Sequence, residues 1–178
     1  RVARHPAEHG AVDTEVERTH DLKSGSYSVR GPLQIGALVA NASTEQLAVL
    51  ERFGRPLGVA FQLRDDLLGT FGDPQLTGKP AGHDLRAGKN TSLVREARGL
   101  LEPGGLAVLS SVLGNQAASP SEIAAVTRLI ESSGARARVE ARLAALANQA
   151  EEALRAPLSA EGLGMLRQLL NKLVLRDR

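Results

Sequence analysis

Apolar residues recur every three to four positions along most of this chain, and the positions between them carry the charge. The clearest run starts after Ser43 or Thr44, either of which can cap a helix, with Glu45 and Gln46 in its first turn. Leu47, Leu50, Phe53, Leu57, Ala60, Phe61, Leu63 and Leu67 then form one long stripe at helical spacing. Pro56 lies inside the stripe and predicts a kink or a join, because proline lacks an N–H and crowds the preceding turn. Gly72-Asp73-Pro74 predicts the end of the helix.

The flanking segments read the same way. Arg1–Val12 has no apolar period and contains Pro6 and Gly10, so a poorly ordered lead-in over 1–12 is expected. A helix is expected from Asp13, with Val12, Val16, Thr19 and Leu22 or Lys23 near one face, before Lys23-Ser24-Gly25-Ser26 interrupts it. Pro32 opens a helical stretch over Leu33–Ala40. Downstream, Thr91–Leu101 is expected as a helix stopped by Pro103-Gly104-Gly105, and Leu106–Leu113 as a short one. Ser119-Pro120-Ser121-Glu122 carries a capping box with proline at the first helical position, predicting a helix that runs to Ser133 and stops at Gly134. Ala135–Arg155, ended by Pro157, and Ala160–Leu175, begun by Ser159, complete the set. Seven or so helices and no strand make an all-α bundle, read as one domain over 1–178, with no internal repeat.

Composition agrees with that picture. Aromatics are 2% of the 178 residues, so the core must be built from Leu, Ala and Val, which suits helix-on-helix packing. The absence of cysteine excludes disulfides and thiolate metal sites and fits a cytoplasmic location. A formal net charge of +2 is too small to imply a nucleic-acid surface. No apolar run approaches the ~18–20 residues needed to span a bilayer. The polar N-terminus has no apolar signal region and begins without methionine, so the chain is expected to be part of a longer one.

Candidate chemistry is concentrated in Phe61–Asn90, FQLRDDLLGTFGDPQLTGKPAGHDLRAGKN. Asp65 and Asp66 leave an apolar helix, and charges leaving a buried helix need partners. Position 69, four residues after Asp65, would stack a third carboxylate above it, but Gly69 stands there. Two readings stand for Asp73: support for a metal, or turn chemistry. Lys79 and Lys89 follow on a loop punctuated by Gly72, Gly78, Gly82 and Gly88. Magnesium prefers a few carboxylates together with phosphate oxygens and water, and lysine is a compact donor to the remaining phosphate charge. The pattern therefore points to divalent metal and a phosphorylated ligand held together. His83, Asp84 and Arg86 read as polar loop groups.

Phe61-Gln62-x-x-Asp65-Asp66, Gly72-Asp73, Thr77-Gly78-Lys79, Asp84-Leu85 and Gly88-Lys89-x-Thr91 resemble, in order and spacing, the second aspartate-rich region of the trans-isoprenyl diphosphate synthases, the polyprenyl synthetase family. Leu22-Lys23-Ser24-Gly25 resembles an upstream element of the same family; Gly134-Ala135-Arg136 and Arg176-Asp177-Arg178 are also similar and read as structural. The resemblance covers the chain from about Asp13 onward and implies a helical bundle of the isoprenoid synthase type whose N-terminal helices are missing. It implies Mg2+ on Asp65 and Asp66, with diphosphate on Lys23, Lys79 and Lys89. Gln62 would face the substrate and Phe61 line an apolar cavity, although Phe61 reads equally as core and Gln62 as a helix-face amide. Asp65, Asp66 and Lys23 would carry catalysis.

The implied reaction condenses isopentenyl diphosphate with an allylic diphosphate to give a longer trans-prenyl diphosphate, in a cytoplasmic homodimer. Two departures stand beside it: Gly69 in place of a third aspartate, and no second Asp-Asp pair anywhere in the sequence. They imply a chain inactive by itself, or alternatively a non-catalytic helical subunit or diphosphate-binding partner of an active synthase. A terpene cyclase fits the paired lysines less well than a condensing enzyme does.

Overall fold

A computed structural model describes residues 27–78, 80–154 and 158–175. Every regular element among them is helical: α1 Gly31–Val39, α2 Thr44–Phe71, α3 Pro74–Thr77, α4 His83–Arg86, α5 Ser92–Leu100, α6 Pro103–Val112, α7 Pro120–Ser132, α8 Ala135–Ala153 and α9 Ala160–Leu170, followed by a π-helical turn over Asn171–Leu175. The lead-in over 1–12, the helix expected from Asp13, and Pro157 lie outside the described residues.

The chain forms two compact units. The first combines Arg1–Gln62 with Leu146–Asn171, and the second Leu63–Ala145 with Lys172–Arg178. Both α2 and α8 contribute to each. In the first unit, Glu51 on α2 accepts from Arg30 Nη1 at 3.0 Å and from Gln34 Nε2 at 2.7 Å, tying the start of the described chain to α2. On α9, Arg167 donates to Glu151 on α8 at 2.7 Å.

α2 is the long apolar helix the sequence predicts, with two differences. Its N-terminus is closed by a reciprocal cap, Ser43 Oγ accepting from Gln46 N and Gln46 Oε1 accepting from Ser43 N. The buried stripe runs Val49, Phe53, Leu57, Ala60, Leu63, Leu67, all at most 5% exposed, while Leu47, Leu50 and Phe61 are only half-buried. Pro56 sits within the helix, which continues through it to Phe71. Its neighbours on the buried stripe, Phe53 and Leu57, are both fully buried, so tertiary packing outweighs the one backbone bond that proline removes.

The second unit packs α6 on α7 and α5 on α7. Pro103 does not stop α5 but begins α6 as its first residue, after Leu101 and Glu102 have turned extended. The capping box at Ser119/Glu122 is formed in full, and Gly134 at φ 85° separates α7 from α8.

Candidate functional site

The site residues of the second unit stand on the last turns of α2 and on the loop after it. Asp66 is 3% exposed, and its Oδ2 accepts from the backbone N–H of Ser92 at 2.9 Å. Ser92 is the first residue of α5, whose cap Thr91 accepts from Val94 N. A carboxylate placed at a helix start satisfies one of the donors that have no partner within the helix and meets the positive end of the helix dipole. Asp66 is thus welded to α5. Asp65, next to it, is only half-buried.

The loop is not the open glycine-rich coil that its composition suggests. Asp73 caps α3, accepting from Gln75 N at 2.9 Å, the turn chemistry of its two readings. α4 follows, bounded by Gly82 at φ 64° and Gly88 at φ 67°. Only glycine takes both conformations without strain, and both positions are crowded: a Cβ on Gly82 would strike Ile123, and one on Gly88 would lie 3.0 Å from Gly114 Cα. Gly114 N donates to Leu85 O at 2.8 Å, Gln116 Nε2 to Arg86 O at 3.0 Å and Arg86 Nε to Ala118 O at 3.3 Å. The turn between α6 and α7 therefore pins α4 in place. Arg86 serves this scaffold.

Two charged groups of the pinned loop face each other. Asp84, on α4, is 4% exposed, and its Oδ1 lies 2.6 Å from Lys89 Nζ. The backbone repeats the link, Lys89 N donating to Asp84 O at 3.0 Å. The hydrogen bond that Lys89 donates to Asp84 raises its pKa above the usual value, and the charges of Asp84, Asp65 and Asp66 raise it further against the lowering effect of burial. Lys89 thus sits in the field of all three aspartates. Asp84 is a residue that sequence reasoning passed over as loop polarity. The signal that could have found it is Gly69: a Cβ there would come within 2.6 Å of Asp84 Cγ and closer still to its Oδ2.

Of the residues singled out from sequence, Asp65, Asp66 and Lys89 are brought together in the second unit. Phe61 and Gln62 precede them on α2, both half-buried, at the end of the first unit. Lys23, Lys79 and the terminal Arg176-Asp177-Arg178 lie outside the described residues. Arg136 lies 4.6 Å from the Phe71 ring centroid and pairs with Glu131 and Glu140, a structural role that joins α8 to the end of α2. A cleft of about 260 Å³ opens there, lined by Arg64, Leu68, Phe71 and Arg136 among others; none of Asp65, Asp66, Asp84 and Lys89 lines it.

Among the described residues, no three His, Cys, Asp or Glu gather closely enough to hold a metal by themselves. The donors are hard oxygens with an ammonium beside them. That set does not fit an all-protein cage, but it fits magnesium, which takes one or two carboxylates and completes its shell with phosphate oxygens and water.

Comparison with known proteins follows the same line. A family model described as polyprenyl synthetase matches residues 7–130. The chain is 36% identical over 157 residues to geranylfarnesyl diphosphate synthase of Aeropyrum pernix, covering 87% of this chain and 48% of that one. It is 38% identical over 131 residues to geranylgeranyl diphosphate synthase of Mycobacterium tuberculosis, covering 69% and 36%. Among solved structures, geranylgeranyl pyrophosphate synthase of Corynebacterium glutamicum, complexed with isoprenyl diphosphate and magnesium, superposes with a TM-score of 0.85 at 32% identity, over 92% of this chain and 49% of that one. The chain spans less than half the length of each of these relatives.

Proposed function

Because the chain belongs to the polyprenyl synthetase family, we propose that the whole protein is a magnesium-dependent prenyltransferase, condensing isopentenyl diphosphate with an allylic diphosphate to a longer trans-prenyl diphosphate. The observation that carries this reading is the Lys89 ammonium held 2.6 Å from the buried Asp84 carboxylate, on the segment leading into the helix start that Asp66 caps through Ser92 N. Such a place accepts a cation and a diphosphate together, each neutralising the other.

In this reading Asp65 and Asp66 would hold magnesium, which when bound draws charge off the departing diphosphate. Asp66, fixed by Ser92, sets the direction of the pair, and Asp65, half-buried, offers its oxygens to the ligand side. Lys89 donates to a phosphate oxygen as negative charge builds on the leaving group, with Lys23 and Lys79 adding donors of the same kind. Gln62 faces the same substrate, and Phe61 contributes apolar wall that keeps water from the allylic cation. No helix of the described residues is long and apolar enough to cross a membrane. A homodimer acting in the cytoplasm is part of the proposal.

Asp65→Ala in the complete protein is expected to lower steady-state turnover by orders of magnitude with the fold retained; near-normal rates would refute the assignment. The second reading, a diphosphate-binding helical partner of an active synthase, is favoured by Gly69 and by the engagement of Asp66 with Ser92. The same assay separates the two. A partner subunit condenses nothing by itself and restores turnover only when mixed with its synthase.

A further inference from the structure

We propose that Asp84 is a positioning residue for Lys89, and that residue 69 is glycine because the Asp84 carboxylate fills the space a side chain there would take. The inference rests on the reading that Lys89 binds diphosphate, and it goes beyond that reading by assigning roles to two residues it leaves out.

Asp84 is buried, yet it belongs to a four-residue helix on a loop, where an aspartate is ordinarily solvated. Its two carboxylate oxygens have separate surroundings. Oδ1 receives the Lys89 ammonium at 2.6 Å. Oδ2 lies against Gly69, on the face of α2 one turn beyond Asp65, where any Cβ would collide with it. Asp84 cannot yield by moving its backbone, since Gly82, Gly88 and Arg86 fix α4 against the α6–α7 turn and α7. A methyl group at 69 must instead rotate the Asp84 carboxylate and break its hold on Lys89. Lys89 itself follows Gly88 in the left-handed region and is half-exposed, so the ion pair with Asp84 is what orients its ammonium.

The test is a double-mutant cycle in the full-length protein, read by calorimetric binding of inorganic pyrophosphate in the presence of Mg2+. Lys89→Met is expected to weaken binding about tenfold, the scale of one charge-assisted hydrogen bond. Asp84→Asn and Gly69→Ala should each weaken binding several-fold in the wild-type background and have no further effect in the Lys89→Met background. A merely structural Asp84 or Gly69 would weaken binding by the same factor in both backgrounds, and that result overturns the proposal, as does wild-type affinity in both single variants. Gly69→Ala keeps the test decisive if Asp84→Asn does not fold. Asp65→Ala is the control for the underlying reading. Undiminished affinity there would overturn the metal assignment, whereas its loss together with additive effects at Asp84 and Gly69 would overturn only the pairing.

Discussion

Asp65 and Asp66 share a peptide bond and almost nothing else. Asp66 is buried and bonded to the first N–H of α5, so removing its carboxylate leaves a backbone donor at a helix start without that acceptor. Asp66→Ala should cost about 1–3 kcal/mol of unfolding free energy. Asp65→Ala, at a half-buried position with no such bond, should stay within about 0.5 kcal/mol while losing ligand binding. Urea unfolding of the two variants checks this; equal losses would mean that the neighbours do the same work. The pair was legible in the sequence because two adjacent charges at the end of an apolar stripe are visible without coordinates. Asp84 was not. Its burial depends on a missing side chain fifteen residues earlier and on glycines that bend the loop, a relation between positions that no periodicity carries.

At the scale of elements, legibility followed length and capping. The stripe of α2 and the Ser119/Glu122 box announce themselves because each repeats one physical constraint over several residues. α3 and α4 do not, for helices of four residues are too short to show a period. Pro103 was misread because proline both ends and begins helices; the extended conformation of Glu102 makes it a beginning here. The α7 box also gives a pH prediction. Glu122 has its pKa lowered from 4.5, first by the Ser119 hydroxyl and then by the Ser119 N–H. A carboxyl with a depressed folded-state pKa contributes stability above its unfolded value, and that contribution is lost as pH falls through the folded one. The gap in thermal midpoint between wild type and Glu122→Gln should therefore be open at neutral pH and narrow on acidification below 4.5. A gap that widens in acid would show that the box is not what the glutamate stabilises.

For the molecule as a whole, the class of fold followed from a core of Leu, Ala and Val, and the candidate site was read from one helix end and the loop after it. On the proposed reading this chain's described residues would provide half of a binding reaction: oxygens too few to cage a metal and an ammonium already engaged by Asp84. Neither magnesium nor pyrophosphate alone would gain much from such a place, since pyrophosphate would face the like charge of the aspartates and magnesium would keep a shell mostly of water. In the proposed site they would complete one another, magnesium taking phosphate oxygens into its shell and Lys89 meeting the rest of the phosphate charge. Thermal unfolding of the full-length protein should therefore respond to the two ligands synergistically. Saturating them jointly at about 100 times the dissociation constant corresponds to about 2.7 kcal/mol of added stability, with far smaller shifts for either alone and none of the joint shift in Asp65→Ala. A full shift produced by pyrophosphate without magnesium would mean that the lysines alone make the site, and the aspartate pair would lose its place in the mechanism.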